Sequence, residues 1–298
     1  MFTLTAPRDR QSPAAFLRGL ELFDHAATLP GASAPIANLS RVPARVYAVA
    51  NQKGGVGKTT TAVNVGACLA EAGERVLLVD LDPQANATSG LGMRANGAST
   101  HDLLDGTPLS ALVRRTPFPN LDVVMAKNSL AAAAVQLSTR EGGERYLAEA
   151  LGDSLDPYSF VFLDCPPSFG PLTVNALAAA GRTIVPVQAE YYALEGLSQL
   201  LGTIRIVQKS LNPGLGIEGV LLTMYDQRLN LARQVQDEAV EYFGEKVYST
   251  VIPRNVRLSE APSFGQPVIL YDILSAGAVS YMKLAEELIE RCRPRERG

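Results

Sequence analysis

Short runs of valine, isoleucine and leucine alternate along this chain with longer segments of helical period, and this alternation constrains the fold most. The apolar runs are Val46–Ala50, Val76–Val79, Leu121–Met125, Phe160–Leu163, Thr183–Val187 and Gly219–Thr223. Runs without polar alternation belong to strands covered on both faces. Between them lie helical segments at 58–72, 130–151, 170–180, 193–211, 230–243 and 276–292. Strand and helix in repeated succession give an α/β fold, a mostly parallel twisted sheet with helices on both faces. The pattern starts near residue 43 and continues to residue 298, which is read as one domain.

Residues 1–42 stand apart as an N-terminal extension. They carry Pro13, Pro30 and Pro35 around one short helical pattern with Phe16, Leu20 and Phe23 on a face. Too short for a domain, the stretch is read as a loosely attached extension, with a partner-binding helix as the alternative.

Charge and cysteine content narrow the function. With 27 basic and 30 acidic residues, the net charge is −3, so nucleic-acid binding would have to come from a local patch and not from the average field. Cys68, Cys165 and Cys292 are widely spaced, and a chain with only two histidines has no Cys/His zinc pattern. Buried thiols in a reducing cytoplasm are the expectation. No apolar run is long enough to span a membrane, and the N-terminus lacks the apolar core of a signal peptide.

After the first apolar run comes Asn51-Gln52-Lys53-Gly54-Gly55-Val56-Gly57-Lys58-Thr59-Thr60, followed by a helical stretch. Glycines at these positions let backbone N–H groups converge on phosphate oxygens, and a helix N-terminus adds the positive end of its dipole. Lys58 would reach the β- and γ-phosphates, and the Thr59 hydroxyl would ligand Mg²⁺. The general phosphate-loop pattern calls for glycine where this chain has Gln52. Asp80 and Asp82 follow the second apolar run, and Asp164 ends the fourth. In a parallel sheet all three would converge on the loop, because ligands bind beyond the carboxyl ends of the strands. Asp80 is assigned to local hydrogen bonding, and capping of a turn is the alternative for either Asp80 or Asp82.

The string from Lys53 to Thr60 resembles the deviant Walker A loop of the ParA/MinD family of P-loop ATPases, whose early lysine is the signature residue. Longer strings narrow the resemblance to the chromosomal ParA branch, often called Soj: Asn86 to Gly92, Pro186 to Gly196 and Val251 to Ser263. The resemblance spans residues 46 to 290. It implies a P-loop NTPase fold, ATP and Mg²⁺ as cofactors, and cleavage of ATP to ADP and phosphate. Asp82 would orient the attacking water, and Lys53, with Lys58, would stabilise the transferred charge. Lys53 would reach the nucleotide of a second protomer in an ATP-dependent homodimer. The nucleotide-binding residues would be Lys53, Gly54, Gly55, Val56, Gly57, Lys58, Thr59 and Thr60, with Pro253 and Asn255 at the adenine. Thr59 and Asp164 would hold the metal.

The resemblance further implies non-specific double-stranded DNA as a partner, bound through Arg228 and Arg257, and a ParB-like protein that stimulates turnover. Arg205, Lys209, Arg233 and Arg254 are candidates for the same basic face. For each, an ordinary solvated side chain is the alternative. A cytoplasmic, nucleoid-associated protein acting in chromosome or plasmid partitioning is the resulting expectation. The alternatives are a non-motor enzyme on the same scaffold, such as an ATP-dependent ligase or synthetase, for which the sequence gives no second-substrate pocket, and a MinD-like positioning ATPase acting at the membrane. Against the latter, the last helical segment has a Leu284, Leu288, Ile289 and Cys292 stripe opposite Glu286, Glu287 and Glu290, a pattern for packing on the sheet; Arg295 and Arg297 follow it.

Overall fold

The computed structural model describes residues 44–190 and 193–293. The expected N-terminal extension and its helix, and Arg295 and Arg297, lie outside the described residues. Strands form where the six apolar runs predicted them, as β1 Arg45–Val49, β2 Val76–Asp80, β4 Leu121–Val124, β5 Phe160–Asp164, β6 Arg182–Gln188 and β7 Gly216–Thr223, and a seventh, β3 Arg114–Arg115, is added to them. Their order in the sheet is β3-β4-β2-β5-β1-β6-β7, and every pairing is parallel except β3 with β4. Every residue of β2, β4 and β5 is buried, as strands covered on both faces require. The two-residue edge strand β3, exposed throughout, carries no apolar signal and was not anticipated.

The helices are α1 Lys58–Glu71, α2 Asn86–Gly90, α3 Thr100–Leu104, α4 Leu109–Leu112, α5 Leu130–Thr139, α6 Tyr146–Leu151, α7 Pro171–Ala179, α8 Ala193–Ser210, α9 Asn230–Phe243, α10 Val256–Glu260, α11 Val268–Tyr271 and α12 Ala276–Cys292. The long helix expected over 130–151 is two helices. Gly142 adopts a left-handed conformation (φ 68°), and a Cβ on Gly143 would fall 2.0 Å from the carbonyl oxygen of Leu137. Asn175 of α7 spans the break, accepting from the amide of Leu147 and donating to the carbonyl of Gly143. The short helices α2, α3, α4, α10 and α11 have too few turns to print a periodicity.

The last helix, α12, was expected to lie on the sheet. Its buried face of Ala278, Tyr281, Met282, Leu284, Ala285 and Leu288 packs instead chiefly on α1, with the Tyr281 hydroxyl 3.2 Å from that of Thr61. Helix α1 is therefore enclosed by the sheet on one side and α12 on the other. Thr61 through Ala70 are buried without interruption.

Strand β1 sits between β5 and β6. The connection through α1 runs to one side of it, toward β2, and β6 lies on the other. A crevice opens at the carboxyl end of such a strand, and the loop that leaves β1 there is the glycine-rich one.

Candidate functional site

Within that loop Gly55 and Gly57 have φ of 74° and 87°, the left-handed region that side chains with a Cβ rarely enter. Gly57 is the N-cap of α1, and its carbonyl accepts from the amide of Thr61. Asn51 holds the loop's entrance: its side chain donates to the carbonyl of Pro186 on β6 and accepts from the amide of Lys53. At the far side Thr223, which ends β7, donates from its hydroxyl to the carbonyl of Val56 at 2.9 Å. Val56 is buried, and Gly54 faces Pro167 in the loop after β5. Neither Asn51 nor Thr223 was anticipated as a loop support. The available signal was a polar side chain ending an apolar run.

Lys58, only 6% exposed, bends back over the loop and donates from Nζ to the carbonyl of Lys53 at 3.0 Å. Burial lowers its pKa, and the carboxylates of Asp164 and Asp82 and the thiol of Cys165 oppose that shift. The carboxyl ends of β2 and β5 are in register, so Asp80 stands beside Asp164. Asp80 is consumed by structure. It accepts from the amide of Asp82 and from both the amide and the hydroxyl of Thr88, yet burial still pushes its pKa up to about 6. Asp82, nearly buried, accepts from the amide of Gln84, so it also shapes the turn that carries it.

Asp164 differs from both. Its two carboxylate oxygens are buried and accept no hydrogen bond of good geometry among the described residues; the Thr59 hydroxyl is a donor close enough to act on them. Burial first, and Asp80 second, raise its pKa well above the ordinary range; the Thr59 hydroxyl and Lys58 pull the other way. A buried carboxylate whose neighbours do not offset its burial is unfavourable by itself and calls for a further cation. The available ligands are oxygens, one carboxylate and one hydroxyl, on residues that end a strand and begin a helix. Such a sparse, hard set fits Mg²⁺, which keeps several waters and shares its sphere with phosphate. Cys165, fully buried with its pKa raised by burial, is an inert thiol.

The structure thus brings Lys58, Thr59, Asp82 and Asp164 to one crevice and sends Lys53 elsewhere. Lys53 Nζ lies 2.8 Å from Oε2 of Glu190, just past β6, and both side chains are nearly half exposed. Glu190 is held in turn by the side-chain amide of Gln188. Thr60 turns its carbonyl to the side chain of Asn64.

Beyond Thr223 the chain continues to Tyr225, which bridges in parallel to Pro253 and exchanges hydrogen bonds with Ile252 and Arg254. Pro253 is thereby fixed to the same strand end that buttresses the loop. Asn255 is the N-cap of α10, its side-chain oxygen accepting from the amide of Arg257, a task not anticipated for it.

The two expected DNA-contacting arginines lie near this end. Arg228 is 85% exposed and forms a two-point pair with Asp226. Arg257 pairs with Glu260 at 2.7 Å and Asp272 at 3.1 Å. Arg228 and Arg254 line a cavity of about 390 Å³ with Tyr225 and Pro253, and Arg233 donates to the carbonyl of Gln227 beside it. Arg205 and Lys209 are exposed on a different element, α8.

Comparison with known proteins agrees with this geometry. Residues 44–217 match the AAA domain family model. The sporulation initiation inhibitor protein Soj of Bacillus subtilis is 55% identical over 247 residues, taking in 82% of this chain and 98% of that protein. The chromosome partitioning protein ParA of Caulobacter vibrioides is 51% identical over 263 residues, 87% of this chain and 98% of its own. Among solved structures, cobyrinic acid a,c-diamide synthase from Mycobacterium smegmatis, with bound ATP analog and magnesium, superposes with a TM-score of 0.73 at 40% identity. It covers 84% of this chain and 96% of that one. No helix among the described residues is long and apolar enough to cross a membrane. With identity above one half sustained along nearly the full length of its relatives, the chain belongs to the ParA/Soj family of chromosome-partitioning ATPases.

Proposed function

We propose that this chain binds ATP and Mg²⁺ at the loop from Lys53 to Thr60, dimerises around the nucleotide, and in that form holds double-stranded DNA without reading its sequence. Hydrolysis, stimulated by a ParB-like protein, then returns monomers and releases the DNA, which is how a chromosome or plasmid would be partitioned. The observation that carries the nucleotide part is Asp164: a buried carboxylate with no hydrogen bond of good geometry, beside a buried lysine and a helix-starting threonine. Bound Mg²⁺ supplies positive charge that offsets what builds on the phosphate oxygens.

This chain's own residues do the rest. Backbone N–H groups from Gly54 to Thr59 cradle phosphate oxygens, and Lys58 adds a point charge. Thr59 and Asp164 hold the metal and its waters. Asp82, fixed by its own turn, accepts a hydrogen bond from water and so orients it for in-line attack. Lys53 leaves Glu190 and neutralises charge at the partner's nucleotide. Pro253 and Asn255 flank the adenine.

On the rim, Arg228 and Arg257 exchange their carboxylate partners for DNA phosphates. Such contacts position without specifying, so binding falls steeply with salt. Gel filtration and DNA retention with apo, ADP, ATP and nonhydrolysable-ATP forms test the reading. Expected are a dimer and DNA retention only with the triphosphates. A protein that stays monomeric when saturated with the nonhydrolysable form refutes it, and ATP-dependent sedimentation with liposomes in place of DNA retention points to a membrane role.

A further inference from the structure

Gly92, just past α2, and Gly265, which closes the turn after α10, meet backbone to backbone. Both are left-handed, with φ of 71° and 64°. A Cβ built on Gly265 would fall 2.6 Å from Cα of Gly92 and 3.0 Å from its nitrogen; a Cβ on Gly92 would fall 3.0 Å from the carbonyl oxygen of Gly265. Neither neighbour is a side-chain tip able to swing away. Gly90 faces Pro262 along the same seam.

Each glycine is tied to a different functional element. On one side, Gly92 donates to the carbonyl of Ser89, and Thr88 anchors the segment to Asp80 through its amide and hydroxyl. The stretch between begins at Asp82. On the other side, Gly265 donates to Pro262, and Glu260 joins Arg257 to the hydroxyl of Tyr271. The segment carrying Arg257 is supported at its two ends on rigid parts. Pro253 bridges to Tyr225 after β7, and the amide of Val268 donates to the side chain of Asn64 on α1. Its middle rests on the loop that begins at Asp82. A seam without side chains has no rotamers to absorb a displacement, so a shift on one side must move the other.

We propose that Gly92 and Gly265 are positioning residues that join the hydrolytic loop from Asp82 to the basic segment from Pro253 to Arg257, so that the nucleotide state sets the arrangement of Arg257 at the DNA. This inference rests on the proposed function and adds the physical link between its two halves.

The test compares Gly265→Ala with Gly106→Ala in the full chain. Gly106 is also left-handed (φ 94°) but has open space around its Cβ position, so alanine there adds backbone strain and no collision. Thermal midpoint, affinity for a fluorescent ATP analogue, dimerisation with nonhydrolysable ATP, and retention on unrelated DNA are measured for both. Gly265→Ala is expected to keep nucleotide affinity and dimerisation, while its ATP-over-ADP ratio of DNA retention drops about tenfold. Gly106→Ala is expected to keep that ratio even with a comparable fall in midpoint. An unchanged ratio in Gly265→Ala overturns the proposal, as does an equal drop in Gly106→Ala. If Gly265→Ala does not fold, Gly92→Ala, whose tightest approach is to a carbonyl oxygen at 3.0 Å, takes its place with the same criteria. Unfolding of both shows the seam to be a folding element and overturns the proposal. Wild-type protein that shows no ATP-dependent retention refutes the proposed function itself, separately from the seam.

Discussion

Replacing Glu190 by glutamine should tighten the ATP-dependent dimer. In the single chain the Lys53 ammonium is held 2.8 Å from Glu190; in the proposed dimer it leaves that carboxylate to reach the other protomer's nucleotide. The two side chains are 40% and 46% exposed, so solvent screens the pair, and such pairs contribute about 0.2–1 kcal/mol. A symmetric dimer gives up two of them, about 0.4–2 kcal/mol together, which is roughly a 2- to 30-fold change in dimer dissociation constant. Glutamine keeps the shape of the side chain and removes its charge. The assay is sedimentation equilibrium with saturating nonhydrolysable ATP across protein concentration, for wild type and Glu190→Gln, at low and high salt. The gain should appear at low ionic strength and shrink toward 1 M salt, where the screening length is about 3 Å. A dissociation constant that does not move at low salt, or that rises, refutes the latch. So does a gain that is undiminished by salt, since it cannot come from a screened ion pair.

Three further outcomes follow from the site. Asp164→Asn should abolish ATP turnover yet stabilise the nucleotide-free protein by about 1 kcal/mol or more at neutral pH, because burial and Asp80 outweigh the support that Thr59 and Lys58 give to this carboxylate. The carboxyl's folded-state pKa is raised, so the native state binds more protons than the unfolded chain above about pH 4 and wild-type stability falls as pH rises. The gain from asparagine should therefore shrink on acidification in chemical denaturation. A gain that is constant with pH, or absent, contradicts the assignment. Lys58→Ala should lose both ATP binding and DNA retention, whereas Asp82→Ala should keep both and lose about 100-fold or more in turnover by phosphate release. Normal hydrolysis by Asp82→Ala removes it from the mechanism. Arg228→Ala or Arg257→Ala should weaken retention equally on unrelated DNA sequences and lower the salt slope by about one for each phosphate left without its arginine. Loss confined to one sequence would mean base reading.

The sheet and the phosphate loop could be read in advance because their determinants are local. Val46–Ala50 is apolar enough to be a central strand, the glycines follow at once, and Thr61 to Ala70 give a helix with little polar surface. The alanine-rich stretch after Leu130 misled for the same reason: its local helical preference was strong, while Gly143 fits only a break whose cause is the carbonyl of Leu137. Supports that join distant parts of the chain left weaker traces. The hydrogen bond from Thr223 to Val56, the Lys53 pair with Glu190 and the close approach of Gly92 to Gly265 each depend on how the strands are ordered, which spacing does not encode. Asn255 shows an intermediate case. Asparagine before a short apolar-led helix is an ordinary N-cap signal, and the resemblance implies an adenine contact for the same side chain.

The enclosure of α1 between the sheet and α12 ties ligand affinity to the integrity of the entire domain. A helix whose middle is buried without interruption does not fray there while its surroundings stay folded, so the helix that begins at the phosphate loop melts with the domain. Nucleotide that binds only the folded form then protects all of the domain at once, and each tenfold rise in its free concentration above the dissociation constant adds about 1.4 kcal/mol to global stability. Cellular ATP would thus serve this chain as a folding ligand as well as a substrate.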